Sequence, residues 1–170
     1  MKKVLLVLLV ACLLVGCNDK KKKRYDPYKY NPTEQTNTKG FDVSFEQENG
    51  VRTIMVNLNG VTGVKAIFDS GCSSMLISKL ELQQLIKQGT VSESDLSSGY
   101  FTNADGETKQ YPQVRLQVSL VDNNGKEHVT SVDAAVVDDL NASALVGNAV
   151  FGSLSNLITI DDSKNILHFE

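Results

Sequence analysis

Apolar and polar residues alternate in short runs over most of the chain after residue 40. In the runs at 41–45 and 54–58 every second residue is apolar, which is the pattern of strands with one buried face. Asn49-Gly50 and Asn59-Gly60 follow these two runs, and Asn-Gly is a strong signal for a tight hairpin turn. The start of this region is therefore predicted to form β hairpins.

A third run, Val61 to Phe68, and a shorter one, Met75 to Ile77, predict two further strands. A helix is predicted next, because Ser78 and Glu81 have the spacing of a capping box. Gly89 suits the position just after the end of that helix. We interpret the helix as structural.

The second half of the chain returns to the strand pattern. Residues 99–110 carry Asp105-Gly106 near their middle, which predicts a polar hairpin with an exposed tip. Further strands are predicted at 114–120, 128–137, 157–160 and 166–169, and a short helix at 148–154. The predicted fold class is mostly β with one or two short helices.

The first sixteen residues have the features of a secretory signal. Met1-Lys2-Lys3 is basic, and the apolar run Val4 to Val15 is too short to span a bilayer. Leu14-Val15-Gly16-Cys17 is similar to a bacterial lipobox, which implies cleavage before Cys17 and a lipid on its sulfur. An ordinary signal peptide is the alternative, at roughly one in ten. We expect an exported protein, lipid-anchored to a membrane of the bacterial cell envelope.

Residues 17–40 are interpreted as a flexible basic tether, and 41–170 as one folded domain. Residues 1–40 hold nine Lys/Arg and three Asp/Glu, a net +6. Residues 41–170 hold eight and seventeen, a net −9, so the whole chain sums to −3. The basic run Lys20 to Arg24 suits anionic headgroups, whereas an acidic domain argues against nucleic-acid binding.

Candidate chemistry lies at the end of the third strand, in Ile67-Phe68-Asp69-Ser70-Gly71-Cys72-Ser73. A buried strand that ends in a tight turn would hold the Asp69 carboxylate rigid beside hydroxyls and turn amides. A carboxylate that activates water needs such surroundings. Asp-Ser-Gly alone occurs by chance in roughly one chain of this length in twenty, so the surrounding segments must support the interpretation.

The order of these segments resembles a retropepsin-type aspartic peptidase. Asp69-Ser70-Gly71-Cys72-Ser73 is similar to the family's Asp-Thr/Ser-Gly-Ala-Ser, with Cys72 in place of alanine. Leu145-Val146-Gly147 followed by Asn148 to Phe151 is similar to its Leu-Leu-Gly-Met-x-Phe-Leu segment. The resemblance implies a single-lobe acid-protease β-barrel that cleaves polypeptides and uses no metal or cofactor.

The resemblance also implies roles for individual residues. Asp69 would be catalytic, Ser70 would brace two active loops against each other, and the Gly71 amide would face the carboxylate. Ser73 would hydrogen-bond the outer oxygen of Asp69, and Gly147 would lie behind the active loop. The candidate flap would comprise Gly99, Tyr100, Phe101, Thr102, Asn103, Ala104, Asp105 and Gly106.

A single Asp-Ser-Gly predicts a homodimer. The chemistry takes two carboxylates that share a proton, and residues 41–170 are too few for two lobes. The partner of Asp69 would therefore be Asp69 of a second copy, related by a two-fold axis.

Alternatives stay open at this point. The protein could be a non-catalytic envelope lipoprotein that uses the same fold as a binding or assembly module, or a structural protein of unrelated β fold. A metal site or a Ser-His-Asp triad built on His128 and His168 has a prior of roughly one in twenty. Cys72, the single thiol left in the mature domain, could pair between chains, but a small buried residue is the simpler interpretation.

Overall fold

The computed structural model of the protein describes residues 40–102, 106–138 and 142–170. The predicted signal peptide, Cys17 and the tether up to residue 39 lie outside the described residues. So do Asn103, Ala104 and Asp105 of the candidate flap. No helix in the described part of the chain is long and apolar enough to cross a membrane.

The protein is mostly β, as predicted. The strands are β1 Phe41–Ser44, β2 Glu46–Glu48, β3 Val51–Leu58, β4 Val61–Phe68, β5 Met75–Ser78, β6 Leu96–Thr102, β7 Thr108–Val121, β8 Glu127–Val137, β9 Ala144–Val146, β10 Ile158–Asp161 and β11 Ile166–Phe169. The helices are α1 Lys79–Lys87 and α2 Asn148–Leu154, with a 3₁₀ turn at Glu93–Asp95. Sequence patterning did not indicate this 3₁₀ turn.

The larger sheet closes on itself into a barrel. Its order is β2-β3-β4-β9-β5-β8-β7-β6, and β3 also pairs with β7, so strands β3, β4, β9, β5, β8 and β7 form a ring. Closure removes the exposed edges of these six strands. The flap strand β6 is attached outside the ring, to β7 alone.

The Asn-Gly turns form as their sequences predict. Asn59 and Gly60 have φ of 50° and 78°, the left-handed values that a two-residue hairpin turn requires. The turn joins β3 to β4, which pair antiparallel with Thr53 opposite Ile67. This hairpin brings the chain to Asp69 at the end of β4.

The barrel interior collects the alternating apolar residues. Four side chains of β7 are completely buried, namely Val114, Leu116, Val118 and Leu120. Phe151 of α2 and Phe169 of β11 are likewise buried, with ring centroids 6.2 Å apart. Helix α2 and the last strand are thus fixed to the same core that supports β4.

Strand β7 is longer than the alternation suggested. The candidate hairpin was placed at 99–110, but β6 begins at Leu96 and β7 runs without a break through Pro112. Pairing between β7 and β8 ends at Gln113, opposite Ala135, whereas pairing with β6 continues to Thr108. The candidate flap is therefore a two-stranded ribbon that projects beyond the three-stranded part of the sheet.

The start of α1 differs in part from the predicted capping box. The Ser78 hydroxyl accepts a hydrogen bond from the Glu81 N–H at 3.0 Å, as expected. The Ser78 N–H, however, donates to the Ser143 carbonyl at 2.9 Å, so Glu81 does not cap it. The Glu81 carboxyl bonds the Ser143 side chain instead, and burial raises the pKa of Glu81.

Candidate active site

Strand β4 delivers Asp69 to the edge of the barrel interior. Phe68, the preceding residue, is buried and lies in register with Val146 of the parallel strand β9. The Asp69 N–H donates to the Val146 carbonyl at 3.1 Å. The backbone of Asp69 is therefore fixed by β9, and its side chain is half-buried.

A tight turn follows Asp69 and directs an amide at its carboxylate. The Cys72 N–H donates to the Asp69 carbonyl at 3.2 Å. Inside that turn, the Gly71 N–H donates to Asp69 Oδ1 at 2.9 Å. In the described part of the chain the other oxygen, Oδ2, has no hydrogen-bond partner.

Gly147 lies directly against this turn. A Cβ at Gly147 would collide with the carbonyl oxygens of Cys72 and Ser74, and would lie 2.9 Å from the Cys72 carbonyl carbon. The φ of Gly147 is −114°, which any residue can adopt. Close backbone approach, rather than an unusual dihedral angle, is therefore what requires glycine here.

Asn148 is a contact that sequence reasoning missed. Its backbone N–H donates to the Cys72 carbonyl at 2.8 Å, and its side-chain Nδ2 donates to the Ser70 carbonyl at 2.9 Å. The available signal was a polar residue directly after Gly147, at the first position of α2. The sequence resemblance gives Asn148 no role of its own within the segment that follows Gly147.

Neither serine of the loop hydrogen-bonds Asp69 through its hydroxyl, which differs from the expectation for Ser73. Ser73 is exposed, and within residues 40–102, 106–138 and 142–170 no hydrogen bond joins it to Asp69. The turn closed by Cys72 ends before Ser73, which leaves its hydroxyl outside the turn. Ser70 is also exposed, and its hydroxyl has no partner among the same residues.

A cleft of about 750 Å³ opens in front of Asp69. The active loop lines it through Asp69, Gly71, Cys72 and Ser73. Tyr100, Phe101 and Thr102 of β6 and Tyr111 of β7 line the same cleft. Part of the candidate flap and the candidate catalytic carboxylate thus share one cleft.

The floor of the cleft is apolar. Leu145 and Leu76 are register partners, and Leu76 pairs with Ala135, two residues before Val137. Alternate residues of a strand share a face, so Leu145, Leu76 and Val137 lie on one face of the sheet and line the cleft. Phe101 and Tyr111 add an edge-to-face aromatic pair, 6.1 Å between centroids.

Two flap glycines do not line this cleft. An added Cβ at Gly99 would lie 2.7 Å from Oε1 of Gln113, so the Gln113 side chain covers that position. Gly106 has a φ of 81° and lies beyond the gap at 103–105. Of the described flap residues, Tyr100, Phe101 and Thr102 are therefore the ones that line the cleft with Asp69.

Both histidines form pairs with aspartates away from the cleft. His128 Nε2 lies 3.0 Å from Asp122 Oδ2, and His168 Nδ1 lies 2.6 Å from Asp42 Oδ1. No group of three or more His, Cys, Asp and Glu side chains in the described ranges could hold a metal ion. Neither histidine is among the residues that line the cleft with Asp69.

The fold is retropepsin-like, the fold of single-lobe aspartic proteases. A crystal structure of a retropepsin-like aspartic protease from Rickettsia conorii matches with a TM-score of 0.54 and 22% sequence identity, covering 77% of this chain and 89% of that one. The retroviral protease-like domain of Ddi1 from Leishmania major matches with a TM-score of 0.45 and 16% identity, over 74% and 89% of the two chains. No family model and no curated protein sequence matches this chain.

Proposed function

We propose that this protein is an aspartic endopeptidase that cleaves polypeptides as a homodimer held at a membrane by a lipid on Cys17. The observation that carries the proposal is the environment of Asp69. Its carboxylate is half-buried at a cleft, one oxygen is held by the Gly71 amide, and the other has no hydrogen-bond partner among the described residues. A carboxylate in this state can accept a proton from water.

The reaction needs a second carboxylate close to the first. One of the two, ionised, takes a proton from the attacking water, while the other, protonated, donates to the scissile carbonyl oxygen. Two such groups titrate as a coupled pair. Among the residues that line the described cleft, Asp69 is the one carboxylate, so the second is assigned to Asp69 of another copy.

Two features of the surface support such a dimer. Strand β10 has β11 as its one neighbour in the three-stranded sheet β1-β11-β10, and an unpaired strand edge is a template for another chain. Leu157, just before β10, is 54% exposed. The Ser70 hydroxyl, which has no partner in the described part of the chain, is likewise available to the active loop of a second copy.

The cleft supports an extended polypeptide as substrate. Its apolar floor suits uncharged side chains, and the ribbon of β6 and β7 lines the cleft together with the active loop, where it can close over a bound chain. Closure would exclude water other than the nucleophile. Anchoring on a membrane would raise the effective concentration of monomers and so favour pairing.

The test compares the full-length protein in detergent with its Asp69→Asn variant on a mixed peptide library from acid to neutral pH. Mass in solution is measured on the same samples. We expect cleavage by the wild type, loss of cleavage in the variant, and a dimer in both. Asp133→Asn is the matched control, because Asp133 is an exposed aspartate of β8 paired with Arg115 and should leave cleavage unchanged. Cleavage that survives Asp69→Asn, or comes from a strict monomer, would overturn the proposal.

A further inference from the structure

One peptide group in the active loop is hydrogen-bonded at both ends. Its carbonyl, from Ser70, accepts from Asn148 Nδ2 at 2.9 Å. Its N–H, from Gly71, donates to Asp69 Oδ1 at 2.9 Å. Both bonds are made by the same planar unit, Ser70 C=O and Gly71 N–H, so the Asn148 amide and the Asp69 carboxylate are linked through a single peptide group.

We infer that Asn148 is a positioning residue that holds this peptide group in the orientation that Asp69 needs. The peptide unit is planar, with its C=O and N–H directed to opposite sides. Fixing the carbonyl direction therefore fixes the direction of the N–H. Without the Asn148 amide, the group can rotate about its flanking dihedral angles, and the Gly71 N–H then leaves the carboxylate.

The link is electronic as well as geometric. A donor on a carbonyl polarises the peptide and strengthens its N–H as a donor, because hydrogen bonds in a chain reinforce one another. The Asn148 side chain thus strengthens the bond from the Gly71 N–H to Asp69 Oδ1. The same bond holds Oδ1 in place, so that Oδ2 is the oxygen available to water and to the partner carboxylate.

Attachment of α2 to the loop does not depend on this side chain. The Asn148 backbone N–H already donates to the Cys72 carbonyl at 2.8 Å, and the Asp69 N–H donates to the Val146 carbonyl at 3.1 Å. Any residue except proline at position 148 keeps the first of these bonds. The side-chain bond to Ser70 therefore acts on one peptide orientation, with little effect on the fold.

The inference concerns the same site as the proposed function, and its test has a readout that needs no activity. In Asn148→Leu, a substitution of similar volume without a donor, the Gly71 amide proton should move upfield in NMR spectra and exchange faster with solvent. Asn148→Asp is a second variant of the same shape, and an acidic residue suits the first turn of a helix. It lacks the donor too, so it should give the same change at Gly71 even where the leucine variant folds poorly.

Activity gives the second readout. In both variants kcat should fall about tenfold with KM within about twofold, since an oriented group is lost and binding surface is kept. Asn124→Leu, an exposed asparagine of the β7–β8 turn, should change neither readout.

The outcomes separate the two proposals. If the wild type cleaves nothing, the peptidase proposal fails. The positioning role of Asn148 is then tested by the NMR signal and exchange rate of the Gly71 amide alone. A Gly71 amide that is unchanged in folded Asn148→Leu or Asn148→Asp overturns the inference. A fall in activity with an unchanged Gly71 amide also overturns it.

Discussion

Two aspartates of this protein, Asp69 and Asp122, follow strands yet have opposite surroundings. Asp122 is 6% exposed, and its Oδ2 lies 3.0 Å from His128 Nε2. Its Oδ1 accepts the N–H groups of Asn124 and Lys126 at 2.8 and 2.9 Å. Asp69 is half-buried, holds one amide on one oxygen, and faces a cleft.

The hydrogen bond from His128, followed by those from the two amides, lowers the pKa of Asp122 below its ordinary value. A carboxylate whose oxygens are both occupied is ionised and structural. Its turn also fastens the first strand, since the Asn123 N–H donates to the Asp42 carbonyl at 2.8 Å. The ring of Phe41 stacks on His128, with centroids 3.5 Å apart. Asp122 is the more buried and the better paired of the two aspartates, yet it is structural. The candidate catalytic aspartate is instead the one that lies at a cleft and still has, among the described residues, a carboxylate oxygen free to accept a hydrogen bond.

The largest effect is expected where the backbone around Asp69 is tightest. Gly147→Ala should remove cleavage and lower the free energy of unfolding by about 1–3 kcal/mol, because the added methyl forces the Cys72 and Ser74 carbonyls aside. Urea unfolding and peptide cleavage measure the two changes.

Gly152→Ala is the matched control in the same helix. A Cβ at Gly152 meets no atom within 4 Å, and alanine favours a helix over glycine by up to about 1 kcal/mol. This variant should therefore be as stable as the wild type or more so, with full activity. Equal behaviour of the two alanine variants would contradict the close packing of Gly147 on the loop.

Asp122→Asn should lower stability and leave the chemistry unchanged, whereas Asp69→Asn should abolish cleavage. We expect a lower unfolding midpoint with cleavage per folded molecule unchanged, because the variant loses the ionised acceptor for His128 and two amides. The lowered pKa of Asp122 fixes the pH dependence. Its stabilisation is present above the ordinary value of 3.8 and is lost as pH falls through the lower, folded-state value.

Thermal unfolding between pH 2 and 7 tests this. The difference in unfolding midpoint between wild type and Asp122→Asn should be constant near neutral pH. It should disappear on acidification below pH 3.8. A difference that widens in acid would show that Asp122 is not held ionised by its partners.

A third carboxyl, Glu81, should give the smallest effect. Burial raises its pKa above 4.5, so the folded state retains a proton that the unfolded chain has lost. The free energy of unfolding of the wild type should then fall as pH rises through that window. Glu81→Gln should remove this slope, match the wild type at low pH and be slightly more stable at neutral pH. If the free energy of unfolding of the glutamine variant still falls with pH, a group other than Glu81 is responsible.

Local patterns in the sequence predicted the elements well, because the turn at Asn59-Gly60 and the alternation at 114–120 are properties of neighbouring residues. The position of Asp69 at a strand end followed from the same logic. The contacts that define the site were beyond such reasoning. Asn148 and Ser70 are 78 residues apart, and no local periodicity brings them together.

The sequence predictions differ from the structure where contacts between distant parts of the chain decide the outcome. Ser143 takes the Ser78 N–H that Glu81 was expected to cap, since β9 runs beside β5 and offers a carbonyl there. The predicted hairpin at 99–110 and strand at 114–120 are joined, since β7 runs through Pro112, and its pairing with β8 ends at the next residue. Ser73 was assigned to Asp69 by resemblance, and the turn leaves it exposed.

The most direct test of the central claim mixes wild type with Asp69→Asn under conditions in which subunits exchange, and measures cleavage at constant total protein. If each site needs Asp69 from both copies, one active subunit cannot work beside an inactive one. A 1:1 mixture should then retain about one quarter of the wild-type activity, the fraction of dimers with two intact carboxylates under random pairing. Retention of about one half, in proportion to the wild-type subunits present, would contradict a site shared between two chains.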